Sequence, residues 1–209
     1  MTDKLKLYNG CLRKIGHSRL SALTENVKAR RVLDNCYDDV VAECLEQGWW
    51  NHSLRSQKMD ATTSEETEFG YNKIFNKPSD WVRTYSFCAD EYFKVPIINY
   101  QDIRDYWLTD HDPVYVQYVS NGDAYGMDLG AWPQNFVKLV QLSLAVEICE
   151  DITGSDSKME MLQKDLKKAL ADAKRFDALN DPVTRFPPPG RFVSARMGGN
   201  RGEGRYQAG

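Results

Sequence analysis

Residues 134–153 read QNFVKLVQLSLAVEICEDIT, and no other stretch restricts the possible folds as much. Phe136, Val137, Leu139, Val140, Leu144, Ile148 and Ile152 make this helical segment strongly apolar. A helix that is apolar around much of its circumference cannot lie on a surface, because one side would stay in water. Other elements must surround it, so it is expected to run through the centre of the fold. Trp132-Pro133 opens it and Thr153-Gly154 breaks it. The chain has 209 residues, 42% of them hydrophobic, which suffices for one sizeable core with an inserted subdomain. No window approaches the ~18 unbroken apolar residues of a membrane span. The start, MTDKLKLYNGCL, lacks the apolar run of a signal peptide, so a soluble protein made in a cytoplasm is expected.

Three more helices can surround the central one. Leu5, Tyr8, Leu12 and Ile15 fall at helical spacing, and Gly16 stops that pattern. After the loop HSRLSAL, Thr24 is a suitable N-cap for a second helix to about Gln47. Leu33, Cys36, Tyr37, Val40, Val41, Cys44 and Leu45 form its apolar face, and Glu25, Lys28, Arg30, Arg31, Asp34 and Asp38 a solvated one. Gly48 ends it. The pair Trp49–Trp50 then reads as a core anchor, with an exposed aromatic platform as the alternative. Ser155 or Asp156 caps a fourth helix to about Leu179, whose buried stripe is Met159, Leu162, Leu166, Leu170, Ala173 and Phe176.

Between the second and third helices the period changes. YNKIF, WVRTYSF, FKVPIINY, RDYWL and VYVQYV are rich in aromatic and β-branched residues and are separated by turn-like NKPSD, CADEY and TDHDP. They predict a compact antiparallel sheet or small sandwich. The acidic stretch DATTSEETE, 60–68, reads as a mobile loop, and NGD at 121–123 with the run to Gly130 forms a loop. The expected fold class is α+β, mainly α: a helical bundle with an inserted small antiparallel β-subdomain and an extended C-terminal arm. The boundaries are 1–53 and 123–181 for the bundle, 54–122 for the β-subdomain and 182–209 for the arm.

The arm differs in composition from the rest. It carries a proline triplet, several glycines and Arg185, Arg191, Arg196, Arg201 and Arg205 against Glu203, a balance of +4. The total charge is −3, so residues 1–181 carry −7. A segment this poor in apolar side chains cannot repay its ordering entropy alone, and it is expected to order on a partner. Arg185, Phe186, Arg191, Phe192, Arg196, Arg201, Arg205 and Tyr206 are the candidate partner-binding residues, the aromatics as anchors and the arginines as a charge match. Arginine and glycine also suggest RNA or DNA binding, although the Arg-Gly pairs are scattered rather than repeated.

No chemistry stands out. There is no phosphate-binding loop, dinucleotide fingerprint, HExxH or GxSxG. His17, His52 and His111 lie far apart in loop-like contexts and read as surface histidines. Cys11, Cys36, Cys44, Cys88 and Cys149 are odd in number and lack any CxxC, which suits reduced thiols packed on helix faces. Glu147, Glu150 and Asp151 on neighbouring turns of the third helix have a spacing compatible with acid–base hydrolysis of a glycan, and Asp110 and Asp112 flank His111, but such spacing is common on helices and in turns. No catalytic residue, metal ligand or cofactor is expected.

The order GCLRKIGHSRLSALTEN, VLDNCYDDVVAECLEQGWWN, FGYNKIFNKPSDWVRTYSF, VYVQYVSNGD, FVKLVQLSLAVEICEDITGS and LKKALADAKRFDALNDP resembles the podovirus tail tubular protein A family. The resemblance spans about residues 6–182, and the arm lies outside it. It implies a structural head-to-tail adaptor of a short-tailed bacteriophage, with a helical bundle, a β insert and a C-terminal arm reaching towards the portal. The implied partners are the portal protein, the tail nozzle, further copies in a dodecameric ring, and genomic DNA passing without sequence-specific contact. The implied location is the virion tail at the portal vertex, after assembly in the bacterial cytoplasm. No active site would be required, although some related tail parts carry cell-wall hydrolase activity.

Overall fold

A computed structural model describes residues 2–62 and 70–180. The fold is α+β. Four helices, α1 (Lys4–Ile15), α2 (Lys28–Glu46), α3 (Gln134–Thr153) and α4 (Asp156–Ala178), enclose one core. Six short strands lie between α2 and α3: β1 (Leu54–Met59), β2 (Lys73–Asn76), β3 (Trp81–Cys88), β4 (Gln101–Ile103), β5 (Tyr106–Thr109) and β6 (Val114–Ser120). The arm residues, Arg185 to Tyr206, lie outside the described residues, as do 63–69 of the acidic loop.

Helix α3 runs through the middle, as its sequence predicts. Phe136, Val137, Leu139, Val140, Leu142, Leu144, Ala145, Ile148 and Cys149 are all buried, and the helix packs against α1, α2 and α4. Two lysines brace helix ends. Lys158 Nζ donates to the Ile15 carbonyl at 3.1 Å, and Lys28 Nζ to the Asp151 carbonyl at 2.6 Å. A cation there also complements the negative end of the helix dipole.

The strands form two three-stranded antiparallel sheets, ordered β1-β6-β3 and β2-β5-β4. Their facing sides share a core of Phe75, Phe87, Ile97, Trp107, Val114, Val116 and Tyr118. The alternation along β6 sends Val114, Val116 and Tyr118 into it, while Val119 joins the helical core. Strand β1 is not among the segments that composition predicts as strands. LRSQKM has few residues that favour sheets, and its pairing with β6, Leu54 opposite Val119 through Met59 opposite Val114, supplies the order.

Three expectations are corrected. Helix α2 starts at Lys28, not at Thr24, and Val27 at its N-cap makes no side-chain cap. The Glu25 carboxylate instead accepts from the Ser21 backbone and hydroxyl, folding a separate turn. FKVPIINY is a loop with one bridge, Cys88 to Pro96. Its proline lacks an N–H, and the Asp90 carboxylate takes the Lys94 and Val95 N–H groups that a strand would have used. The polar face of α2 is partly a helix seam. Asp34 accepts from the buried Tyr8 hydroxyl at 2.8 Å and pairs with Arg30 Nη1 at 2.6 Å.

Asp80, in the turn before β3, ties the first sheet together. Its carboxylate receives Arg55 Nη1 of β1 at 2.9 Å and the Tyr118 hydroxyl of β6 at 3.1 Å, as well as the Ser120 hydroxyl. Burial alone would raise its pKa, but the hydrogen bonds from Ser120, Arg55 and Tyr118 outweigh burial and hold it below the usual value. A depressed carboxylate stabilises the fold above the ordinary aspartate range and loses that contribution as pH falls through its folded value. Asp80→Asn should cost about 1–3 kcal/mol at neutral pH. In urea unfolding, the gap to the wild type should close as pH drops below about 3.9.

Candidate functional site: a basic seam on the helical bundle

Two shallow concavities follow the line where α1 meets α3. The first, of about 280 Å³, is lined by Lys6, Asn9, Gly10, Arg13, Arg19 and Gln141. The second, of about 140 Å³, is lined by Lys14, Lys138, Leu142, Asp165, Lys168 and Ala169 and adds α4 as a wall. Gly10 and Gln141 belong to the first; Lys14 and Lys138, about one turn along each helix, belong to the second.

The local sequence builds this seam closely. The Asn9 side chain donates to the Leu20 carbonyl at 3.0 Å and accepts from the Leu20 N–H at 2.8 Å. That pair of bonds holds the 16–20 segment against α1 and with it the backbone of Arg19. A Cβ on Gly10 would sit 2.2 Å from Gln141 Nε2, so the missing side chain is what lets Gln141 lie on α1. Among the described residues, Arg13, Lys14, Arg19, Lys138 and Lys168 form no ion pair, and the half-buried Gln141 amide makes no hydrogen bond. Sequence reading missed this site because its cations stand on separate elements.

The predicted chemistry residues do not converge. Glu147, Glu150 and Asp151 are solvent-exposed on the polar stripe of α3. Asp110 accepts from the Asn72 backbone and side chain, while Asp112 accepts from the Ala61 N–H and pairs with Lys73 at 3.6 Å. Both therefore staple loops. Cys11, Cys44, Cys88 and Cys149 are buried and Cys36 is half-buried. Cys88 lies on β3, not on a helix. Burial pushes the Cys36 and Cys44 thiols up to about 11, which keeps them protonated and unreactive at neutral pH. No group of three or more His, Cys, Asp and Glu side chains able to hold a metal ion occurs among the described residues.

The aromatic pair splits. Trp50 is buried, donating Nε1–H to the Cys44 carbonyl at 2.8 Å, and meets Phe136 edge-on. A Cβ on Gly48 would come within 2.7 Å of the Trp50 ring, so glycine permits this approach. Trp49 is about half exposed at 49%, with Arg83 over its ring and Tyr85 at its edge. A second exposed apolar group lies on the loop braced by Asp90: Tyr92, Val95 and Ile98, the last 84% exposed.

His17 and His111 are exposed, but His52 is not a surface histidine. Its ring lies 4.5 Å from that of Phe136, and both ring nitrogens are buried without a partner. The Trp pair draws the next turn of chain inward, and His52 follows. Burial pushes its pKa down to about 4. The unfolded chain therefore binds a proton that the folded one refuses. Stability is complete above about 6.5 and declines as pH falls towards about 4. His52→Phe should remove that decline while keeping the packing against Phe136. Equilibrium urea unfolding at successive pH values through this window measures the difference. Neither a protein-family model nor any curated protein matches this chain.

Proposed function

We propose that the protein is a bacteriophage head-to-tail adaptor, one subunit of a ring that joins the portal to the tail nozzle around the path of the genome. The observation that carries this reading is architectural. Helices before and after the strands build one bundle around α3, and the β-subdomain is inserted at a single point between α2 and α3, the organisation that the resembling family would require. Exposed Tyr92, Val95 and Ile98 on a braced loop also suit a protein that meets neighbours. No helix is long and apolar enough to cross a membrane among the described residues.

In this reading the subunit is structural and not an enzyme, needs no cofactor, and resides in the virion tail at the portal vertex. The C-terminal arm, with Arg185, Phe186, Arg191, Phe192, Arg196, Arg201, Arg205 and Tyr206, docks on the portal. Its ordering cost is met by interface contacts. Self-association gives the ring, with twelve copies as the family would imply. Genomic DNA passes through the ring without sequence-specific contact.

Negative-stain imaging of the protein mixed with portal should show rings stacked on the portal. Truncation after Asp181 should leave the urea midpoint unchanged and abolish that stacking. A truncated protein that still docks would rule out the arm as the portal contact. Absence of rings with the full chain would remove the adaptor reading. Two rivals have separate readouts. Clearing of peptidoglycan that disappears in Glu147→Gln or Glu150→Gln would indicate a hydrolase. DNA affinity that vanishes entirely with residues 183–209 would indicate a nucleic-acid-binding arm.

A further inference from the structure

We propose that the α1–α3 seam is a binding site for the phosphate backbone of double-stranded nucleic acid, read without sequence preference. This inference does not depend on the adaptor reading. Scattered surface lysines are ordinarily just a solvated face. Here five cations, Arg13, Lys14, Arg19, Lys138 and Lys168, gather on one seam of a segment whose overall charge is negative. None has a carboxylate partner within ion-pair distance among the described residues, although Asp165 lines the second concavity. Like charges held together this way repel, and an anion relieves that repulsion.

The seam is also shaped. The Asn9 bonds to Leu20 fix the segment that carries Arg19, and Gly10 lets the Gln141 amide lie beside the same cleft with its hydrogen bonds unused. Two planar guanidinium groups and a free amide suit a phosphate, whose oxygens accept several donors at once. The three lysines of the second cleft act as point charges for a neighbouring phosphate. An acidic peptide would also be attracted, but its carboxylates sit on flexible stems. A duplex instead offers closely and regularly spaced charge to two clefts about one turn apart on rigid helices. No side chain of the seam needs to reach a base edge, so sequence would not be read.

The test uses the full chain and a fluorescent duplex of arbitrary sequence, titrated across a salt series. Arg13→Gln/Arg19→Gln/Lys138→Gln is compared with an arm variant, Arg185→Gln/Arg191→Gln/Arg201→Gln. The three seam positions are exposed, and an unchanged melting curve verifies the fold. The seam variant should bind about tenfold more weakly at low salt, and its slope of log affinity against log salt should shrink by about 0.9 for each phosphate that the protein no longer neutralises. The duplex should also move the Gln141 side-chain and Arg13 backbone amide resonances of the wild type. Wild-type affinity and slope in the seam variant, with all salt dependence abolished in the arm variant, would overturn the proposal. So would polyglutamate moving the same resonances at equal charge concentration, which would assign the seam to an acidic protein partner.

Discussion

Burial of α3 on nearly every side is the constraint from which the rest of the structure follows. Its buried residues, from Phe136 to Cys149, need three partners, and α1, α2 and α4 supply them. Two of those partners come from the N-terminal part of the chain and one from the segment after α3. The β-subdomain is therefore an insertion between α2 and α3 and cannot form a separate terminal module. The few polar residues of α3, Lys138 and Gln141 among them, emerge only where its neighbours leave a gap. The basic seam is a direct consequence of how α1 covers this helix.

The passage from bundle to β-subdomain is built from aromatic rings around the first turn of α3. Phe136 is shared by Trp50, His52 and Trp132, with ring centroids 5.1, 4.5 and 5.0 Å away. Trp50 and Trp132 satisfy their N–H groups on the carbonyls of Cys44 and Gly126, so both indoles can be buried without an orphaned donor. His52 cannot do the same, and its two unpartnered nitrogens make it the one imperfect member of the group. The last turn of α4 closes over this region, where Asp177 accepts from the Asn51 N–H at 3.1 Å. The ring cluster thus packs the segment between α2 and β1, and the residues that lead into α3, against the first turn of α3.

Polar groups in this protein divide by what they do. Asp80, Asp90, Asp110 and Asp112 spend their oxygens on backbone and side-chain donors of the β-subdomain, and their position between short strands explains why so many acids are found there. Arg13, Lys14, Arg19, Lys138 and Lys168 of the seam form no ion pair among the described residues, whereas Lys6 at its edge pairs with Asp3 at 3.3 Å. Their gathering along two adjoining concavities, more than the lack of a partner, sets the seam apart from ordinary surface charge, and total charge alone conceals it.

Much of the fold was legible in the sequence. Helical periodicity marked α1, α3 and α4, although Phe176, expected in the buried stripe of α4, is 46% exposed; glycine and proline marked their ends, and clustered aromatic and β-branched residues marked most of the β insert. These are local signals, because the face that an element buries is written in its own spacing. The limits of α2, the strand β1 and the loop at 92–100 were not legible, since each was decided by an interaction made elsewhere: Ser21 with Glu25, β1 with β6, Asp90 with Lys94 and Val95. The candidate arm residues were legible only as composition and lie beyond the described residues. What the sequence determined by itself was a central apolar helix, an inserted β region and a basic terminal segment on an acidic chain. Only the tertiary structure decided that Lys14 and Lys138 would line one cleft, that Asp34 would accept from the buried Tyr8 hydroxyl, and that both ring nitrogens of His52 would be buried without a partner. Periodicity records which side of an element avoids water, but not which distant element will cover it.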